Sequence, residues 1–156
     1  MDNKDLFVLA ALREDARMSF AEMSKRTGIP QSTLFDRVRV NEGGVIKKHT
    51  SLIDFEKLGF GTIVKIAVKA DKNDRAALQN FLISNRNINS VYRINNEFDF
   101  FFEGIFKNMN DLRCFKEEMI SKFKLEAETM FYIIEELKRE DFLSSIERVK
   151  AAEAGK

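Results

Sequence analysis

Cysteine, histidine, proline and tryptophan are nearly missing from this chain, and each shortage removes a class of protein. Of its 156 residues one is cysteine (Cys114), one histidine (His49), one proline (Pro30) and none tryptophan. A single thiol closes no internal disulfide, and with a single imidazole it supplies no zinc or iron–sulfur ligand set, so no metal is expected and a reducing compartment fits. No run approaches the ~20 consecutive apolar residues of a bilayer span. The opening Met-Asp-Asn-Lys-Asp-Leu-Phe is too charged for a signal peptide. No membrane partner is therefore expected, and the cytoplasm is the expected location. Charge of one sign is also lacking: 26 Lys and Arg against 25 Asp and Glu leave a net +1, so the whole molecule is no polycation for nucleic acid. No catalytic constellation stands out either, because Cys114 and His49 have no evident orienting partner and Asp99 with Glu103 fits a strand face or loop. No enzyme activity and no cofactor are expected.

What is present is ample apolar material, 44% of residues, enough for one ordinary domain or two small ones. There is also a local basic patch: Arg17, Lys25, Arg26, Arg37, Arg39, Lys47 and Lys48 lie among only Glu22, Asp36 and Glu42. On charge alone a solvated surface explains that patch as well as a DNA footprint does.

The surrounding helical pattern separates the two. Leu6, Leu9, Ala10 and Leu12 recur at helical spacing behind Asp2 or Asn3 as a cap. Ser19-Phe20-Ala21-Glu22 has the form of a capping box, with Met18 and Met23 placed as a hydrophobic staple. That second helix runs to Thr27 and stops at Gly28-Ile29-Pro30. A third follows from about Gln31 to Val40, with Leu34, Val38 and Phe35 as inward candidates. Ser32, Thr33, Asp36, Arg37 and Arg39 are left for the outside, a set suited to a helix entering the major groove. The geometry expected is a helix-turn-helix, against the alternative of a three-helix bundle with no nucleic-acid partner. Gly43-Gly44-Val45-Ile46 then turns into a short strand, Lys47 to Ile53, a wing bearing two lysines and the solvent-facing His49.

After a connecting segment that includes Leu58-Gly59 the period becomes two: Val64, Ile66, Val68 and Ala70 against Ile63, Lys65, Ala67 and Lys69. A helix is expected from Asp71 to Ser84, strands at Val91–Ile94 and Phe98–Phe106 about an Asn95-Asn96 turn, a helix from Asn110 to Phe123, and a strand from Leu125 to Glu136. The order β-α-β-β-α-β is that of a ferredoxin-like sheet with both helices on one face. Phe100-Phe101-Phe102 and Met130-Phe131-Tyr132-Ile133-Ile134 would put large apolar groups on both faces, so a second copy, or the N-terminal domain folded back, should cover the other one. The tail beyond Leu137 is charged, with a helix expected from Phe142 to Ala152.

These residues resemble the Lrp/AsnC family of prokaryotic regulators from roughly Asp2 to Glu140. The resemblance rests on Asp15-Ala16-Arg17, Ser19-Phe20-Ala21-Glu22-Met23-Ser24, Thr27-Gly28-Ile29-Pro30-Gln31-Ser32-Thr33, Gly44-Val45-Ile46 and Leu58-Gly59. It implies an α+β chain, a winged helix-turn-helix followed by an ACT-like βαββαβ (RAM) domain that dimerises and often forms octamers, with an amino acid commonly bound between sheet domains. On this reading residues 1–50 bind DNA, 51–60 connect, 61–138 assemble and sense, and 139–156 form a tail. Double-stranded DNA would be held by Lys25, Arg26, Gln31, Ser32, Thr33, Asp36, Arg37, Arg39, Lys47 and Lys48, placing the protein on the nucleoid. An amino-acid effector would meet Asn95, Asn96, Glu97 and Asp99, and the dimer would close over Phe100, Phe101, Phe102, Phe131, Tyr132 and Ile133.

Two departures from the family pattern matter. The usual Arg-Ile-x-x-Leu-Glu-x-x-Gly is one residue shorter in Arg37-Val38-Arg39-Val40-Asn41-Glu42-Gly43-Gly44, and the usual Thr-Gly-Glu-Tyr-Asp reads Asn95-Asn96-Glu97-Phe98-Asp99. Two other functions are weighed against the regulator. A tetrapyrrole enzyme resembling the family's sirohaem decarboxylases would want several histidines and arginines in one cavity, where His49 stands alone. An oligomeric interaction module would have lost its DNA.

Overall fold

The computed structural model describes residues 2–154. The elements run α1 (Asn3–Glu14), α2 (Phe20–Thr27), α3 (Gln31–Glu42), a 3-10 turn (Glu56–Leu58), β1 (Thr62–Ala70), α4 (Arg75–Ser84), β2 (Ile88–Arg93), β3 (Phe100–Phe106), α5 (Met109–Lys122), β4 (Leu125–Tyr132) and α6 (Ile146–Ala154). They form two units. One runs through Leu52 and takes up the chain again from Leu137; the other is Ile53–Glu136.

In the first unit the helix ends are set by the residues the sequence nominates. The Asp2 carboxylate accepts the Asp5 N–H at 3.0 Å while Asp5 accepts the Asp2 N–H at 3.1 Å, a reciprocal cap on α1. The Ser19 hydroxyl accepts the Glu22 N–H at 3.2 Å, and Gly28, at φ +73°, closes α2 in the left-handed region that glycine enters freely. The core joins Val8, Ala11, Met23, Ile29, Leu34 and Val38 to Ile146 of α6.

The expected inner stripe of α1 is corrected: Val8, Ala10 and Ala11 are buried, whereas Leu6, Leu9 and Leu12 are only half-buried. Leu6 to Leu12 is an unbroken apolar run, so periodicity gives no phase. Val8 and Ala10 lie roughly 160° apart around a helix, so α1 is covered on opposite sides; α2, α3 and α6 pack on it. The C-terminal segment is fastened by charge as well. Arg13 donates to the Glu140 carboxylate and carbonyl at 3.1 and 3.0 Å, and Asp141 gathers Lys138 (2.6 Å), Arg148 (2.9 Å) and the Ser144 hydroxyl (3.0 Å). The tail helix begins at Ile146, later than expected, where the Ser145 hydroxyl accepts the Arg148 N–H at 3.2 Å.

In the second unit four antiparallel strands lie in the order β2-β3-β1-β4. Val64, Ile66, Val68 and Ala70 of β1 and Phe100, Phe102 and Phe106 of β3 share a core with Leu78 and Leu82 of α4 and Leu112, Phe115 and Met119 of α5. Phe115 stands at its centre, with the rings of Phe81, Phe102 and Phe106 at 5.8, 6.1 and 5.4 Å. Gly104 lets the chain pass under Phe106, because a Cβ there would meet that ring at 2.5 Å.

Several boundaries move for local reasons. α4 starts at Arg75 because Asp71 makes a turn of its own, taking the Asn73 N–H on its side chain and the Asp74 and Arg75 N–H groups on its carbonyl. β4 ends at Tyr132: one more bond, Ile133 N–H to the Ile63 carbonyl at 3.0 Å, reaches the start of β1, and beyond that no strand remains to pair with. The wing strand expected over Lys47–Ile53 is absent; that segment pairs with no strand among the described residues, and the turn before it is tied back by the Gly44 and Ile46 N–H groups to the Asn41 carbonyl at 3.1 and 2.8 Å.

Candidate nucleic-acid interface

Helix α3 presents an open N-terminus and a polar outer stripe. Pro30 stands at its cap with no side chain to bond the first N–H groups, which leaves donors pointing out of the helix end. Gln31, Ser32, Asp36 and Arg39 are exposed, Thr33 is half-buried, and Ser32, Asp36 and Arg39 recur at helical spacing on one side. Lys25 on α2 and Lys47 and Lys48 after α3 are exposed too. Each of these eight side chains is without a hydrogen-bond or ion-pair partner among the described residues.

Two arginines expected in that set are placed differently. Arg37 turns back to α1, its guanidinium meeting Asp2 at 2.7–2.8 Å and Asp5 at 2.7 Å. The Arg37 hydrogen bond is the leading reason that the Asp5 carboxyl is held below the usual aspartate range, and Asp5 in turn raises the arginine. Asn41 completes the knot, giving its amide to the Arg37 carbonyl at 2.8 Å and to Asp5 at 3.4 Å. Arg26 forms a fork on Glu14 at 2.8 and 2.9 Å, with Glu147 of α6 at 3.7 Å. Both arginines therefore tie helices together.

Phe35 is corrected in the other direction. Expected inward, it is 54% exposed, with the edge of its ring against Phe20 at 5.8 Å between centroids. His49 lies in the extended segment after α3, its Nε2 at 3.2 Å from Glu42.

In the sheet unit Asn95, Asn96 and Glu97 form an exposed loop. Asn96 adopts φ +66°, so it keeps the backbone shape a glycine would give. Asp99 is a bracket: one oxygen accepts the Ala70 N–H at 3.1 Å and the other meets Arg75 at 2.9 Å, while the Arg75 Nε is buried without a hydrogen-bond partner. Of the residues expected at a dimer surface, Phe100 and Phe102 are fully buried under the helices and are withdrawn from it. Strand register explains why: Val68 faces Phe100 and Ile66 faces Phe102, so both rings share the helix side with β1's valines, while Phe101 faces Ala67 on the open side. Tyr132, opposite Val64, also turns to the helix side. Phe101, Phe131 and Tyr92 remain on the open face, and Ile133 follows at the strand end.

The model of the AsnC-type helix-turn-helix domain matches residues 1–39. The HTH-type transcriptional regulator FL11 of Pyrococcus horikoshii is 32% identical over 116 residues, covering 74% of this chain and 77% of the relative. The chain belongs to the Lrp/AsnC family. Among other relatives, the glutamate uptake regulatory protein of Zymomonas mobilis is 28% identical over 157 residues, 98% of this chain and 96% of that one. In fold the Lrp/AsnC chain superposes on a transcriptional regulator of Neisseria meningitidis solved with L-methionine (TM-score 0.82, 20% identity, 89% and 93% covered) and on E. coli AsnC (0.78, 19%, 89% and 95%).

Within this Lrp/AsnC chain the residues that sequence reasoning passed over are the partners of charged groups. Asp2 was read only as a cap and Asp5 was given no role, yet both seat Arg37. Asn41 stands where the family pattern has leucine, and its 5% exposure makes it the one buried polar residue among those described. That leucine-to-asparagine change was the available signal, since an amide at an inward position needs hydrogen-bond partners nearby.

Proposed function

We propose that this protein is a sequence-specific double-stranded-DNA-binding transcription regulator that works as a dimer or larger assembly and responds to an amino acid. The observation that carries the reading is the α3 surface: an uncapped helix N-terminus, the unengaged Ser32, Asp36 and Arg39 along one side, and the exposed lysines 25, 47 and 48 on the segments before and after it. Family membership gives DNA binding as its general function. Here the lysines contact phosphate, and the outer stripe of α3 reads base edges. Self-association is supported by the open sheet face, where Tyr92, Phe101 and Ala67 lie in one cross-strand row and Phe131 in the next, with Tyr92 and Phe131 more than half exposed. Response to an amino acid is supported by the Neisseria neighbour, whose structure holds L-methionine, by the Zymomonas relative's glutamate-uptake name, and by Asn96 keeping a glycine-like turn in the 95–99 loop.

The test is selection of fragments of the source genome on the purified protein, followed by salt titration on selected and scrambled fragments with and without free amino acids. Recovery of a site with two half-sites, bound with steep salt dependence, is the expected result. Equal binding of selected and scrambled DNA at every salt concentration would defeat it.

A further inference from the structure

Phe35 has no place in the core and no polar partner, yet it occupies the second turn of α3, three residues from Ser32 and four from Arg39. Those spacings put it on the flank of the same outward stripe. Its ring is braced on Phe20, the first residue of α2, by an edge contact at 5.8 Å and an interplanar angle of 69°. One half of the side chain is thus packed and the other half, 54% of its surface, is offered outward. A phenylalanine has few rotatable bonds, and here the edge contact with Phe20 restrains the ring further, so holding it against a ligand costs little conformational entropy. The only apolar group that a base edge displays in the major groove is the C5 methyl of thymine.

We infer that Phe35 is a specificity-determining residue that recognises a thymine methyl in each half-site. This rests on the proposal that α3 reads DNA and goes beyond it in naming one residue and one chemical group. The polar neighbours on the stripe take hydrogen-bonding edges, and Phe35 favours A·T over G·C at its own position through a methyl contact. It also distinguishes thymine from uracil, which no hydrogen bond at that edge does.

The test replaces single thymines by deoxyuracil through both half-sites of the selected fragment, removing the methyl and nothing else, and measures affinity for the unmodified protein. One position per half-site should lose about 3- to 10-fold, in line with an apolar contact of this size. In Phe35→Ala that position should become indifferent to the methyl while the other positions keep their preferences; Phe35→Leu should retain part of the effect. Operator binding unchanged by every uracil, or a methyl effect that survives in Phe35→Ala, overturns the inference and leaves the DNA-reading proposal standing. Failure to obtain any preferred fragment overturns both.

Discussion

Arg37 illustrates how a residue's type suggests one role and its surroundings another. An arginine on the reading helix is the natural guanine contact, but here its donors are occupied by Asp2 and Asp5. Arg37→Ala should therefore weaken operator and random DNA by the same factor and lower the melting temperature by a few degrees. A collapse of the operator-to-random ratio, measured in parallel titrations, would show that Arg37 touches bases after all. Arg39→Ala is expected to behave oppositely, costing the operator roughly 1–3 kcal/mol and random DNA less. The clamp also predicts an acid response. Asp5's folded-state pKa lies below its ordinary value, chiefly through the Arg37 hydrogen bond. Its contribution is thus fully present above the unfolded pKa and fades as pH falls through the folded one. Protection factors of the α1 amides, corrected for intrinsic exchange, should fall below about pH 4, and Asp5→Asn should flatten that dependence. None of this pairing was legible from spacing, because the partners lie more than thirty residues apart in sequence.

At the level of elements, the sequence was legible where a period or a stop signal was unambiguous. Ser19, Gly28 and Pro30 bounded α2 and opened α3 as read, and the β-α-β-β-α-β order follows from alternation in β1 and helical spacing in α5. It was illegible where composition erased the phase. Three consecutive phenylalanines cannot say which of them points inward, and only pairing with Ile66 and Val68 decides it. Seven apolar residues in α1 hid its inner face in the same way, and with it the need for a further covering helix. That helix is α6, whose Ile146 and Val149 are each 1% exposed. Ile146→Ala should destabilise the unit containing α1 by about 2–4 kcal/mol, measured by urea unfolding followed through α1–α3. Phe142→Ala, at a side chain 80% exposed, should stay within about 0.5 kcal/mol. Equal effects of the two changes would mean that α6 is not part of that core.

For the whole molecule, assembly and reading are expected to be separable by mutation. Phe131→Glu places a charge on the open sheet face and changes no residue of α3, and light scattering should show a smaller species that binds a single half-site but loses the gain from two. An unchanged mass would direct attention away from that face. The unit that carries α3 is written in two instalments, up to Leu52 and again from Leu137, with the entire sheet unit encoded between them. A ribosome releases about 5–20 residues per second, so α1, α2 and α3 wait on the order of ten seconds for the helix that covers them, while the sheet strands and their helices are already complete. The sheet unit should therefore be free to fold before the core around α1 is closed by Ile146. A transcript broken before α6 should then yield a product with every element of the sheet unit and an α1–α3 core that lacks Ile146.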